Sequence, residues 1–433
     1  MTSVAAVNLW GTRIGAVEMA DGDTTATFQY DRHFLESGVQ LSPLAMPLRE
    51  APYAFPELSL VSFHGLPGML ADSLPDRFGN ALIDSWLART GRQPSEFNSV
   101  DRLCYVGRRA MGGLEFAPVL GPRGARSQAI NVEDLVELAS AILTSRQRFA
   151  ASLSEQQRTK AMRDILLVGT SAGGARAKAV IAYNPATAEV RSGQVEVDPS
   201  FEHWIIKFDG VAGNQDKDLR GPLGYGAVEF AYSEMAKAAG IQMTECRLLE
   251  EGGRRHFLTK RFDRLPGGDK LHMQSLAALR HFDFNMAGAY SYEQALETIR
   301  RLGLEMESRE QQFRRLAFNV MARNQDDHVK NICFLMDRGG RWSLAPAFDL
   351  TYAYNPDGPW TSRHQMSMNG KREDFVLEDF QACAEAAGLG RGRAEGILNE
   401  VAAAVSDWRS FANRAGVEPQ TAERIGRAQL ARL

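Results

Sequence analysis

One part of this chain strongly constrains the local fold: a strongly amphipathic stretch is followed directly by a run of polar residues. In residues 312–323 apolar side chains recur with helical period, which predicts a helix with one buried face. Residues 324–331, with the sequence NQDDHVKN, follow without a gap. A segment that only joined two elements would not need two carboxylates, a histidine, a lysine and an asparagine. This segment is therefore the first candidate for a functional site.

The residues after this segment predict a hairpin, with strands Ile332–Leu335 and Trp342–Leu344. Because a hairpin brings its two ends together, we expect Asn331 and Asp349 to lie close, with Asp326 five residues before Asn331. Phosphoryl transfer uses this arrangement: the first Asp orients the attacking hydroxyl, and the Asn and the second Asp hold Mg²⁺. Hard oxygen ligands suit Mg²⁺.

A plainer interpretation of the same residues stays open at this point. Asp326 and Asp327 would then cap the following strand, and His328 would be a surface residue. An isolated Asp-x₄-Asn spacing favours this plainer interpretation, whereas the hairpin and the second Asp favour kinase-like chemistry.

A glycine-rich stretch, GTSAGGARAK at residues 169–178, lies between the predicted strands Ile165–Val168 and Ala179–Tyr183, so we predict a second hairpin here. Glycines let backbone N–H groups approach a phosphate closely. The stretch is not a Walker loop, because no Lys-Ser/Thr pair follows the glycines and a strand rather than a helix comes next. It resembles the phosphate-covering loop of kinases, although a simple turn explains it as well. The glycines concerned are Gly169, Gly173 and Gly174.

A lysine on an apolar strand is the third candidate. Lys207 lies in the predicted strand His203–Phe208, where it needs an anionic partner or a route to water. In a kinase the partners are the phosphates of the nucleotide and a Glu from a nearby helix. A helix is predicted at residues 225–239, where Glu229 is the first candidate for that Glu and Glu234 the second. A lysine that reaches solvent at the strand edge remains the alternative.

Composition excludes several protein classes. The chain has 433 residues, with 50 Lys and Arg against 53 Asp and Glu, so its formal charge is -3 at pH 7. This balance offers no electrostatic reason to bind nucleic acid or an anionic membrane unaided. The four cysteines are scattered, which argues against a zinc site and fits a reducing compartment. Without an apolar leader or an apolar run of 18 residues, we expect a cytoplasmic protein with no membrane partner.

The character of the chain changes twice along its length. We predict a strand-rich N-terminal domain at 1–125 with one helix near Phe78–Thr90, then a nucleotide-binding lobe at 126–265 and a mostly helical lobe at 266–433. In the second of these regions, Asn131 is the expected N-cap of a helix.

Five motifs together resemble the HipA family of bacterial toxin kinases, which are serine/threonine protein kinases of type II toxin–antitoxin systems. The motifs are TSAGGARAK, WIIKFD, FLTKRFDR, NQDDHVKN and LAPAFD. The stretch Leu66–Gly79 is similar to the signature of the N-terminal domain of that family. The resemblance implies an α+β fold, in which a protein-kinase-like core with a strand-rich nucleotide lobe and a mostly helical lobe carries an N-terminal strand-rich domain.

The resemblance also implies roles for individual residues. Asp326 matches the catalytic aspartate of the family, and Asn331 and Asp349 match its Mg²⁺ ligands. Lys207 matches the lysine that binds the phosphates of ATP, and Glu229 is the acidic partner that we expect for it.

Two further assignments concern the nucleotide. Lys260 to Phe262, at the end of a strand predicted at Phe257–Phe262, match the hinge that receives the adenine. Ser171 matches the serine whose autophosphorylation expels the glycine-rich loop. A phosphate adds about -1.5 to -2 charges, in a loop that otherwise cradles the nucleotide.

The resemblance implies an ATP- and Mg²⁺-dependent kinase that phosphorylates a protein, in this family an aminoacyl-tRNA synthetase, and so halts translation. It implies a helix-turn-helix antitoxin as partner, with DNA bound only through that antitoxin. Two alternatives stay open: a small-molecule phosphotransferase, and a non-catalytic co-repressor. The basic residues Arg391 and Arg393 are read as a solvated face, with contact to operator DNA as the alternative.

The sequence departs from related patterns at two places. Arg176 and Ala177 differ from the residues that precede the lysine in other versions of the loop. His328 follows the catalytic Asp, whereas the histidine of eukaryotic kinases precedes it. We therefore do not expect the eukaryotic hydrogen-bond scaffold around Asp326.

Overall fold

The computed structural model of the chain describes residues 2–121, 129–144, 164–166, 176–193, 198–211 and 223–431. Within these residues the strands form three antiparallel sheets. The strands are β1 (Ser3–Leu9), β2 (Thr12–Met19), β3 (Thr27–Tyr30), β4 (Leu114–Ala117), β5 (Lys178–Tyr183), β6 (Val190–Ser192), β7 (Glu202–Lys207), β8 (Cys246–Glu251), β9 (Arg254–Lys260), β10 (His272–Ser275), β11 (Cys333–Met336) and β12 (Trp342–Leu344).

Helices cover the sheets and make up most of the C-terminal part. They are α1 (Arg32–Leu35), α2 (Leu60–Phe63), α3 (Gly68–Ala71), α4 (Arg77–Arg89), α5 (Ser99–Val106), α6 (Val132–Thr144), α7 (Tyr225–Ala238), α8 (Leu276–Arg280), α9 (Tyr292–Arg301), α10 (Met306–Met321), α11 (Leu377–Ala387), α12 (Arg391–Ser406), α13 (Trp408–Arg414) and α14 (Pro419–Ala428). Helix α7 packs against α12 and α13, and α10 packs against α9 and α12.

The N-terminal sheet has the strand order β3-β2-β1-β4. Alternation along β1 buries Ala5, Val7 and Leu9, as expected for a strand with one face on a core. The same core contains Met336 of β11. The N-terminal sheet therefore packs onto the small sheet β10-β11-β12.

The five-stranded sheet has the order β6-β5-β7-β9-β8. On one face Trp204 and Ile206 are buried under α4 and α6, because alternation points them to that side. Lys207 points to the opposite face, and Lys178 of β5 is its partner in the register of β5 and β7. Two lysines thus lie side by side on the face opposite Trp204 and Ile206.

A buried charge cluster joins this sheet to the N-terminal part. Asp263 is fully buried and accepts bonds from Arg261 (2.7 Å), Arg264 (2.8 Å) and the backbone N–H of Gly112 (2.6 Å). Burial by itself would raise the pKa of Asp263, but the two guanidinium groups outweigh burial and hold that pKa well below its usual range. The position of the N-terminal part on the core therefore depends on an ionised carboxylate.

Most predicted elements are found. The helix predicted near Phe78–Thr90 is α4, and Asn131 accepts the backbone N–H of Asp134 (3.2 Å) at the start of α6. The amphipathic helix predicted at 312–323 is the second half of α10, and the hairpin after it is β11–β12.

Two strand predictions were wrong in part. Residues 164–166 are helical, so the strand predicted at Ile165–Val168 does not start there, and β5 pairs with β6 and β7. Ile165 and Leu166 are buried against the five-stranded sheet, and a short apolar run does not distinguish a buried strand from a buried helical turn. The strand predicted at Phe257–Phe262 runs from Arg254 to Lys260. The remainder of the predicted glycine-rich hairpin lies outside the described residues.

Candidate active site

A cleft of about 2380 Å³ lies between the five-stranded sheet, the small sheet and the helical part. The predicted site residues that line it are Lys207, Glu229, Lys260, Phe262, Asp326, Asn331 and Asp349. These residues come from β7, α7, β9 and the segments around the β11–β12 hairpin, so the fold brings distant parts of the chain to one place. Gly169, Ser171, Gly173 and Gly174 lie outside the described residues.

Lys207 lies between two carboxylates. Its Nζ donates to Glu229 Oε1 (2.5 Å) and to Asp349 Oδ1, and the side chain is 13% exposed. Burial by itself would lower the pKa of Lys207, but Asp349 and Glu229 outweigh burial and raise that pKa above its usual value. The cleft therefore contains a permanently charged ammonium group with two acidic partners.

Glu229, and not Glu234, is the helix carboxylate that contacts Lys207. Glu229 is 4% exposed at its side chain, and burial raises its pKa. Glu234 instead bonds Lys237 (2.7 Å) at the half-exposed surface of α7. Both glutamates were candidates from the sequence, and the orientation of α7 on the sheet decides between them.

Asp349 has a left-handed backbone conformation, with φ at 56°. Such a conformation is uncommon for a residue with a Cβ atom and costs roughly 1–3 kcal/mol, although Asp tolerates it better than most. Burial by itself would raise the pKa of Asp349, but Lys207 and Lys178 outweigh burial and hold the pKa well below its usual range. Asp349 thus presents an ionised carboxylate just after the β11–β12 hairpin.

Asp326 and Asn331 lie together in the same cleft. The Asn331 side-chain amide donates to the main-chain carbonyl of Asp326 (2.9 Å). The indole N–H of Trp360 donates to Asp326 Oδ1 (2.7 Å), and His328 Nε2 lies 3.9 Å from the same oxygen. The Asp326 side chain is 25% exposed, so a bound molecule can reach it.

Asp327 does not cap a strand, as the plainer interpretation supposed. Its side chain is 1% exposed and accepts bonds from Tyr292 Oη (2.5 Å), from the backbone N–H of Gln365 (2.7 Å) and from His364 Nδ1 (2.8 Å). Burial by itself would raise the pKa of Asp327, but His364 and these hydrogen bonds outweigh burial and lower the pKa. The segment that carries Asp326 is therefore anchored by a buried polar network around Asp327.

The predicted hinge residues Lys260 and Phe262 also reach the cleft. Lys260 Nζ bonds Glu202 and lies 3.5 Å from Glu245. The Phe262 ring lies 5.7 Å from the ring of Phe348. Aromatic surface from Phe262 and Phe348 thus lines the same cleft as the ion pair of Lys207.

Two buried residues of the cleft were missed from the sequence. Lys178 Nζ lies 3.9 Å from Asp76 Oδ2, and the two side chains are 5% and 6% exposed. Burial raises the pKa of Asp76 to about 6 and lowers the pKa of Lys178. In the sequence, Lys178 was visible as a lysine at the start of a strand. The pairing of β5 with β7 was needed to show that it lies beside Lys207. Asp76 belongs to the N-terminal part, and its motif carried no sign of a site.

The residues of the cleft fit Mg²⁺. Within the described residues no group of three or more His, Cys, Asp or Glu side chains is placed to hold a metal ion. Magnesium usually takes one or two protein carboxylates and completes its octahedron with water and phosphate oxygens. The carboxylate of Asp349 and the carboxamide of Asn331, which both line the cleft, are such hard donors.

Two other predicted features concern the surface. Arg393 pairs with Glu310 (2.8 Å) and Glu400 (3.5 Å), and Arg391 is exposed, which agrees with a solvated face. Among the residues that the structure describes, no helix is both long enough and apolar enough to span a bilayer.

Comparisons with known proteins agree with this architecture. Residues 5–117 match the model of the HipA N-terminal domain, and residues 170–409 match the model of the HipA-like C-terminal domain. No curated protein matches the chain. The solved complex of Shewanella oneidensis MR-1 HipA, HipB and operator DNA matches with a TM-score of 0.68 and 16% identity, over 99% of this chain and 95% of that chain.

A second solved structure, the Helicobacter pylori proinflammatory kinase CtkA, matches with a TM-score of 0.33 and 11% identity, over 54% of this chain and 95% of that chain. The match over the whole HipA chain confirms the predicted fold class, a mixed α and β protein with a strand-rich N-terminal part and a helical C-terminal part.

Proposed function

Because this chain belongs to the HipA family, we propose that it is an ATP- and Mg²⁺-dependent serine/threonine protein kinase. One observation carries the proposal. Lys207 is held by Glu229 and Asp349 in the same cleft that contains Asp326 and Asn331. A strand lysine paired with a helix glutamate, together with a metal-binding Asp, is the arrangement that protein kinases need for activity.

Each residue has a distinct role in this proposal. Lys207 binds the phosphates of ATP with its fixed charge, and Lys260 and Phe262 lie beside the adenine. Asn331 and Asp349 would hold Mg²⁺, which when bound would neutralise charge on the transferring phosphoryl group. Asp326 accepts a hydrogen bond from the attacking hydroxyl and orients it toward the phosphorus atom.

A small-molecule phosphotransferase would share the residues of the site, so the proposal of a protein substrate rests on the family and is tested by the labelling experiment below. The complete ion pair of Lys207 argues against a non-catalytic co-repressor.

The partners are proposed from the family. We propose an aminoacyl-tRNA synthetase as the protein substrate, whose phosphorylation inhibits translation. The similar Shewanella oneidensis HipA was solved with HipB and operator DNA, and we propose a helix-turn-helix antitoxin of that kind for this chain, with DNA contacted through it. Autophosphorylation at Ser171, outside the described residues, would limit the activity. We propose the cytoplasm as its location.

Labelling tests the proposal. Wild-type protein, Asp326→Ala and the surface control Asp269→Ala are incubated with radiolabelled ATP, Mg²⁺ and a bacterial lysate. We expect wild type and Asp269→Ala to label a protein band, and Asp326→Ala to reduce labelling by more than a hundredfold. Asp326→Ala should keep its melting temperature, because its side chain is partly exposed. Labelling retained by Asp326→Ala would refute the role of Asp326, and a labelled metabolite without a labelled protein would favour the small-molecule alternative.

A further inference from the structure

The segment after Asp349 reaches back to the candidate catalytic residue. Trp360 lies on this segment, and its indole N–H donates to Asp326 Oδ1 at 2.7 Å. The two residues are 34 positions apart, so the contact exists only because the segment folds over the cleft. Its neighbours from Thr351 to Pro359 line the cleft.

The position of Trp360 is fixed by Gln365. The buried side-chain amide of Gln365 donates to the carbonyl of Trp360 (2.5 Å) and to the carbonyl of Gln325 (3.2 Å). The backbone N–H of Gln365 donates to Asp327 (2.7 Å). One residue thus ties the main chain of Trp360 to both neighbours of Asp326, which places the indole within reach of the Asp326 carboxylate.

We propose that Trp360 is a positioning residue for Asp326, a role that rests on the proposed kinase function. A donor on Oδ1 restricts rotation of the carboxylate and so orients it toward the substrate hydroxyl. When the hydroxyl oxygen bonds to the γ-phosphorus, its proton passes to the Asp326 carboxylate. The bond from the γ-phosphorus to the bridging oxygen breaks, and the electron pair leaves with ADP.

The size of the effect follows from the hydrogen bond. A hydrogen bond to a charged group is a strong one, and its loss here misorients the base without removing it. Since Trp360 is assigned no contact with the nucleotide, kcat should fall about 10- to 100-fold while KM for ATP changes less than twofold.

Kinetics of Trp360→Phe test the role, because phenylalanine keeps an aromatic ring and loses the N–H. Trp342→Phe is the matched control, since that indole donates to Gln40 (3.3 Å) away from the cleft. We expect the kcat loss in Trp360→Phe alone. If the wild type is active and Trp360→Phe is unimpaired, this inference alone is overturned. An equal loss of kcat in Trp360→Phe and in Trp342→Phe would also overturn it. A wild type that labels no protein overturns the proposed function itself.

A spectroscopic measurement tests the contact without activity. In protein labelled with ¹⁵N at tryptophan, the indole N–H signal of Trp360 is the one that disappears from the spectrum of Trp360→Phe. We expect Asp326→Ala to shift this signal and to leave the signal of Trp342 in place. An unchanged Trp360 signal in Asp326→Ala would overturn the contact on which the inference depends.

Discussion

Lys207 shows how one residue joins stability to the proposed chemistry. Its ammonium group neutralises Glu229 and Asp349, which come from a helix and from the segment after a hairpin. Buried charges of this kind stabilise the fold only as a complete set, because each of them has lost much of its hydration. The same charge is then available to the phosphates of a nucleotide.

Lys207→Met should therefore destabilise the fold as well as the nucleotide site. With the ammonium group removed, two neighbouring carboxylates repel each other, and we expect a loss of roughly 3 kcal/mol. Mg-ATP should then no longer raise the melting temperature, as a ligand of the folded state otherwise must. Thermal unfolding with and without Mg-ATP measures both effects.

Lys237→Met is the control for this prediction. It breaks the half-exposed pair of Lys237 with Glu234 on α7, which should contribute less than about 1 kcal/mol. Equal losses of stability in the two variants would show that Lys207 is not held by a special ion pair.

At the scale of elements, the close approach of α7 to β9 places Glu229. Gly226 lies one turn before Glu229, and a Cβ atom added there would meet the carbonyl oxygen of Arg255 at 2.0 Å. Only glycine lets the helix lie this near the strand. The distance between helix and sheet thus determines whether Glu229 reaches Lys207.

Gly226→Ala should accordingly push α7 away from the sheet. We expect a loss of about 2–3 kcal/mol from overpacking, together with weaker binding of Mg-ATP. Urea unfolding and the melting shift with Mg-ATP measure the two effects.

Gly396→Ala is the matched control, because Gly396 lies within α12 and an added Cβ atom meets nothing within 4 Å. The same substitution should here stabilise the chain by about 0.5–1 kcal/mol, since alanine is the better helix former. A neutral Gly226→Ala would contradict the close contact.

At the scale of the whole molecule, the cleft needs the N-terminal part. Asp76 caps α4, accepting the backbone N–H of Gly79 (2.7 Å), and its other oxygen faces Lys178 of the five-stranded sheet. Helix α4 itself packs in the core of that sheet through Phe78 and Leu82. The N-terminal part therefore contributes residues that line the candidate site.

The buried histidines make the stability of the molecule depend on pH. His256 and His272 are buried, and burial lowers the pKa of each from 6.5 to about 4. His256 accepts the backbone N–H of Asp209 at 2.9 Å, which only the neutral ring can do. The unfolded chain takes up protons below about pH 6.5 and the folded chain does not, so stability present above pH 6.5 is lost as pH falls toward 4.

We expect each ring to remove roughly 3 kcal/mol of stability over this range. Asp76, with a pKa of about 6, opposes part of this loss because its folded form holds a proton more tightly. Urea-unfolding midpoints at about pH 7 and about pH 5 measure the slope. His272→Gln should reduce the slope by about one proton. A midpoint independent of pH would contradict the neutral buried rings.

Features that depend on short stretches of chain could be predicted from the residues alone. The helix in residues 312–323, the β11–β12 hairpin and the cap at Asn131 follow from periodicity and turn residues, which act between near neighbours. The resemblance to a family likewise came from local motifs, and the family is confirmed. The domain boundaries and the roles of the site residues stay predictions.

Contacts between distant parts of the chain could not be predicted in this way and were found only in the folded molecule. It chose Glu229 over Glu234, put Lys178 beside Lys207, brought Asp76 from the N-terminal part and set Trp360 on Asp326. It also turned residues 164–166 into a helical turn where a strand was predicted. The physical reason is that such contacts depend on how helices and sheets pack, and packing is a property of distant surfaces that no local pattern of residues contains.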